Sequence, residues 1–85
     1  MASGSRITVG TTATLLATGG AKDTTVVVKN GATAIDLGGA AVATGAGYAV
    51  GASEVTPQIV LGAHETLYGV TSAGTSSVSV LVTGF

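Results

Sequence analysis

His64-Glu65 is the pair in this chain whose residue types stand nearest to a metal motif. A zincin helix needs HExxH, because two histidines one helical turn apart must hold one metal. Here the fifth position is Tyr68 and the chain has a single His. A lone imidazole without partner ligands lacks the geometry of a zinc site, so His64 and Glu65 read as a solvated turn. Gly45, Gly47 and Gly51 are spaced GxGxxxG, which resembles a dinucleotide fingerprint. The strand-turn-helix context that would aim helix amides at a pyrophosphate is missing, and these glycines read as turn formers. A serine nucleophile needs an adjacent base, and the chain offers one His and no GxSxG. Asp23, Asp36, Glu54 and Glu65 fall in or beside turns or on a polar strand face. Two of them could in form make a glycosidase pair, but 85 alanine-rich residues leave little room for a substrate cleft. The expectation is a protein with no catalytic residues, no metal and no cofactor.

Composition points to what such a chain does need. Hydrophobic residues make up 46% and charged residues 8%, far from the polar, highly charged disordered class. Yet the apolar content is mostly Ala and Val, with one Phe, two Tyr and no Trp, so each side chain buries little area. Fourteen glycines raise the entropy lost on folding, and without cysteine no disulfide can offset it. The remaining staple for a domain of this size is association with copies of itself or with a larger surface. Three scattered cations, Arg6, Lys22 and Lys29, cannot make a nucleic-acid footprint. No run approaches 18 apolar residues, so no membrane span is expected. The start, MASGSRITVG, has no signal-like apolar run, so synthesis in the cytoplasm without a visible export signal is expected.

The elements follow from alternation and turn residues. Residues 1–5 read as a flexible N-terminal arm, and residues 6–85 as one β domain. Short β-prone runs cover 6–9 and 12–16, with Ile7 and Val9 on one face. In 24–29, Val26 and Val28 share one face, while Val27 points the other way with Thr25 and Lys29. Apolar residues on both faces suggest a central strand, or one whose second face meets a partner. Asn30-Gly31 reads as a tight hairpin turn into 33–37, because both residues tolerate φ > 0. Ile35 and Leu37 alternate with Ala34 and Asp36, and Gly38-Gly39 ends that strand. Further strands are expected at 41–43, 48–50, 58–61, 66–72 and 77–83, the last with Val78, Val80 and Val82 inward. Pro57 must sit at a strand start or an edge, since it cannot donate to a ladder. No internal repeat of convincing length appears. About seven or eight short strands with turn signals between them predict an all-β, small antiparallel sandwich or barrel-like (jelly-roll-like) domain.

Tyr48, Tyr68 and Phe85 are the large side chains that could anchor an interface, since aromatics bury much area with few rotatable bonds. For the two tyrosines, capping a core short of bulky residues is an equal alternative.

Three stretches carry a resemblance to short bacteriophage virion proteins: ITVGTTAT at 7–14, VVVKNGATAIDLGG at 26–39 and LGAHETLYGVTSAGTSSVSVLVTG at 61–84. The best-fitting group is the capsid decoration, or cement, proteins. The resemblance implies a β-sandwich-like module, often trimeric, on the outer surface of the phage head. It implies the major capsid protein as partner, mechanical stabilisation of the shell, and no catalytic residue to carry over. The N-terminal arm and the strand around Val27 are then the candidate contact surfaces, with Arg6, Val27, Tyr48, Tyr68 and Phe85 as the candidate contact residues. A tail or fibre module that binds host surface carbohydrate is the alternative, with Tyr68 and His64 as its only local platform.

Overall fold

In the computed structural model, which describes residues 2–39, 42–43, 45 and 47–83, the β-branched runs form eight strands. They are β1 (Ala2–Val9), β2 (Thr14–Thr18), β3 (Thr24–Lys29), β4 (Ile35–Gly38), β5 (Tyr48–Val50), β6 (Ile59–Leu61), β7 (Thr66–Thr71) and β8 (Ser76–Thr83). Two four-stranded sheets result, ordered β1-β8-β3-β6 (sheet A) and β2-β7-β4-β5 (sheet B), with every pairing antiparallel.

The pairing has a simple rule. Ala2 faces Thr83, Thr24 faces Leu61 and Ile35 faces Val50, so partner numbers add to 85. In β2–β7 they add to 83 or 84, the shift coming from a bulge between Leu15 and Ala17. The chain is thus one long hairpin folded about its middle. The hairpin is then rolled so that β8 also meets β3 and β7 also meets β4. Strands 1–4 and 5–8 alternate between the sheets, which is the jelly-roll form of the sandwich.

Rolling buries one face of each sheet. Val9, Val26, Val28, Val78 and Val80 from sheet A meet Leu16, Ile35, Leu37, Val50 and Leu67 from sheet B. A β-branched side chain has few rotamers to lose and packs well on a pleated surface, which is why valine dominates here. Each fully buried Val or Leu contributes roughly 1.5–3 kcal/mol.

Four expectations are corrected. Asn30-Gly31 is no hairpin turn: β3 lies in sheet A and β4 in sheet B, and neither residue has a positive φ. Gly31 is required for close approach instead, since a Cβ there would lie 2.4 Å from the Ser77 carbonyl oxygen. Residues 2–5, read as an arm, continue β1 in register with Val80–Thr83 of β8. Backbone pairing to a long partner strand recruits small polar residues that have no apolar pattern of their own. Of the strand expected at 41–43, Val42 and Ala43 are not in a strand and residue 41 lies outside the described residues. The second strand is displaced to β2 (Thr14–Thr18), because its partner β7 sets the register.

The long hairpin contains a short repeat after all. Gly51-Ala52-Ser53-Glu54 and Gly62-Ala63-His64-Glu65 form the same turn. In each, the Glu amide donates to the Gly carbonyl (3.2 and 3.1 Å), and the Glu carboxylate accepts from the Gly N–H. The third residue takes φ of 61° at Ser53 and 62° at His64, as a type II turn requires. Each turn docks by two backbone bonds. Ser53 donates to Gly31 and Asn30 to Glu54; His64 donates to Gly20 and Gly19 to Glu65.

Candidate docking face

The residues with chemical potential are dispersed or already engaged. His64 is exposed in its turn, with Glu65 turned back on Gly62. The glycine stretch binds the protein's own anion: Gly45 and Gly47 donate backbone N–H groups to Asp36 Oδ2 at 2.7 and 3.3 Å. Glu54 Oε1 accepts from Gly51. Among the described residues no three His, Cys, Asp or Glu side chains cluster as metal ligands would, and there is no helix.

The aromatics separate. Tyr48 pairs with Leu37 at the rim of the sandwich, where it is 57% exposed. There it lines an apolar cleft of about 380 Å³ with Leu37, Pro57, Ile59 and Leu67. Tyr68 is half-buried on the outer face of sheet B, between Leu15 and Gly38. His64 stands in the turn that leads into β7, four residues before Tyr68. Phe85 lies outside the described residues.

Arg6 and Val27, far apart in the chain, come together on the outer face of sheet A. The strand order β1-β8-β3 places them there, because paired residues point to the same side. One row runs Arg6, Ser79, Lys29, Val55. The next runs Gly4, Leu81, Val27, and a third Thr83, Thr25, Val60. Three of the five large apolar side chains exposed among the described residues lie here: Val55 at 58%, Val60 at 61% and Leu81 at 47%. Gly4 has no side chain to fill the middle row. A shallow depression of about 510 Å³ opens there, bordered by Arg6, Val27, Lys29, Ser79 and Leu81.

Sequence reasoning reached Arg6 and Val27 but not Leu81, Val55, Val60 or Lys29 as members of this face. Two signals were available. Lys29 alternates in phase with Val27, and Leu81 is the one apolar residue at an outward position of the Ser77–Thr83 alternation.

The opposite rim is held by Asn30, which is 3% exposed. Its Nδ2 donates to the carbonyls of Thr33 (2.8 Å), Val50 (3.1 Å) and Gly51 (3.0 Å). Its Oδ1 accepts from Gly31 N–H (2.8 Å) and Ser76 Oγ (2.7 Å). Carbonyls on one side and donors on the other fix the amide orientation. With two hydrogens for three acceptors, one bond is shared. This residue ties the end of β3, the loop after β5 and the start of β8 into one corner.

No protein-family model matches the chain, and no curated protein matches it significantly.

Proposed function

We propose that this chain is a structural virion module, a phage head decoration protein that docks on the outer capsid surface and stabilises the shell through protein–protein contacts. The observation that carries the docking part is the outer face of sheet A. A domain built from small side chains leaves three large apolar residues exposed on one sheet face, which supports reading that face as an interaction surface. The virion location rests on the resemblance of residues 7–84. Function here is mechanical. Subunits that bind the assembled lattice better than its dissociated parts stabilise it by linkage. Many copies are retained even when each contact is weak. A homo-oligomer, with a trimer favoured by the same resemblance, accompanies this reading, with the major capsid protein as partner. A tail or fibre module that binds host surface carbohydrate through Tyr68 and His64 is the alternative.

The test is the copy number of this chain per major capsid protein in purified particles, by quantitative mass spectrometry. Hundreds of copies per particle are expected. A few dozen or fewer would move the protein to the tail or fibre, and none would overturn the virion assignment.

A further inference from the structure

We infer that the outer face of sheet A binds a protein segment in which carboxylates alternate with aliphatic side chains, and that it does not bind a second copy of itself. This names the partner chemistry of the docking face and rests on the docking reading above.

The charge inventory carries the argument. Arg6 and Lys29 lie in one row with Ser79 between them. Two strand spacings separate them, about 10 Å between Cα atoms. Both are exposed, and no carboxylate among the described residues pairs with either. Three of the four acidic side chains are already bound by the chain's own backbone: Asp36 by Gly45 and Gly47, Glu54 by Gly51, Glu65 by Gly62. The fourth, Asp23, precedes β3 and so lies six residues from Lys29, about 20 Å along an extended strand. Among the described residues, the three rows of the face therefore present two cations and no anion.

Among the described residues, the three rows of a second copy of this face hold no carboxylate, so pairing row against row would bury two more cations without counter-charges. Nucleic acid fits poorly, since two cations neutralise two phosphates and leave Val55, Val60 and Leu81 against a polar backbone. An acidic, aliphatic segment meets every feature. Its carboxylates pair with Arg6 and Lys29, its apolar side chains cover Leu81 and Val60, and one of them enters the depression above Gly4. Charge complementarity of this kind selects partner and register.

The experiment is an NMR titration of the ¹⁵N-labelled full chain with three acetylated octapeptides. They share one set of aliphatic residues and carry Glu, Gln or Lys at the alternate positions. The Glu peptide is expected to shift the amides of residues 4–6, 27–29 and 79–81, with an affinity at least tenfold above the Gln peptide and no Lys-peptide binding. The double variant Arg6→Glu with Lys29→Glu is expected to reverse that preference. Gly4→Val intrudes on the depression without changing charge, with a Cβ there no closer than 3.9 Å to the Val80 carbonyl oxygen, and should weaken the Glu peptide at least tenfold. Circular dichroism melts establish that both variants are folded. Equal affinity for Glu and Gln peptides, shifts centred on Tyr48, Pro57 and Ile59, or an unchanged double variant would each overturn the inference. So would tighter binding to single-stranded DNA or phosphatidylserine vesicles than to the Glu peptide at the same ionic strength. A chain absent from particles that still shows the Glu-peptide pattern supports this partner chemistry while removing the virion location. A charge-reversed chain that still loads onto heads in full number overturns this face and leaves the virion reading intact.

Discussion

The corner around Asn30 and the outer face of sheet A use polar groups in opposite ways. At the corner every donor and acceptor of a buried amide is matched from within the chain, by Thr33, Val50, Gly51, Gly31 and Ser76. On the face, Arg6 and Lys29 are matched by nothing in the described residues, and three large aliphatic side chains stay in water. A buried amide left unsatisfied would be costly, so the corner must be complete for the roll to close. An exposed cation loses little by waiting for a partner. One region therefore governs stability and the other governs recognition, and substitutions should separate the two.

The largest effect is expected at Asn30→Ala. Removing the amide takes the side-chain partner from the Thr33 and Val50 carbonyls, the Gly31 N–H and Ser76 Oγ, while the Gly51 carbonyl keeps the Glu54 N–H, at about 1–3 kcal/mol for each group that water cannot reach. A total loss of about 3–5 kcal/mol is expected in urea unfolding, a large fraction of the stability of a small domain. Under conditions where the variant is folded, its affinity for the Glu peptide should be unchanged. A loss below about 1 kcal/mol would break the comparison, because the corner would then be dispensable.

Next comes Gly31→Ala. Its Cβ would meet the Ser77 carbonyl oxygen at 2.4 Å and Ser76 Oγ at 3.0 Å, so the backbone of β8 must shift. A cost of about 2–3 kcal/mol is expected. Gly19 provides the internal control, since its Cβ would meet the Gly62 carbonyl oxygen at the same 2.4 Å beneath the sister turn. Similar losses at both positions would show that the approach of Gly31 to β8 and that of Gly19 to the Gly62 turn constrain the fold equally. A much larger loss at Gly31 would credit the Asn30 network with the difference.

A smaller effect is expected when Glu54 or Glu65 is replaced by Gln. The amide oxygen still accepts from Gly51 or Gly62, but the charge assistance is lost. About 0.5–1 kcal/mol should go at each site, additively, as the turns contact different strands. Non-additive losses would mean that the turns communicate through β6, which lies between them.

What could be read from sequence divides along the same line. The strands Thr24–Lys29, Tyr48–Val50 and Ser76–Thr83 were legible because alternation is local, and so was the inward set Val26, Val28, Val78 and Val80. Asn30-Gly31 misled because a local turn signal says nothing about which sheet the next strand joins. That choice depends on partners such as Ser76, 46 residues away. The face was half legible. Val27 with Lys29 follows from the period of two, but Arg6 joins them only because β8 lies between β1 and β3. The repeated Gly-Ala-x-Glu turn was visible in the letters, and four residues carry no weight until the shared φ and reciprocal hydrogen bonds give them a mechanism.

The smallest change in stability is expected at Gly4→Val, and it has the opposite sign. Gly4 sits inside β1, paired with Leu81, where glycine weakens a strand through backbone entropy and a missing cross-strand contact. Its φ is not in the left-handed region, and there is room for the new atoms, so valine should stabilise the fold by about 0.5 kcal/mol. The same side chain intrudes on the depression between Arg6 and Leu81 and should weaken the Glu-peptide interaction at least tenfold. Structural glycines such as Gly31 are needed because nothing larger fits. Gly4 is not needed in that sense, which makes its open space a property of the surface rather than of the fold. A Gly4→Val chain that melts higher and binds less would separate recognition from stability in one substitution. A chain that melts lower would show that Gly4 belongs to the folding requirement, and that the face and the corner are not independent.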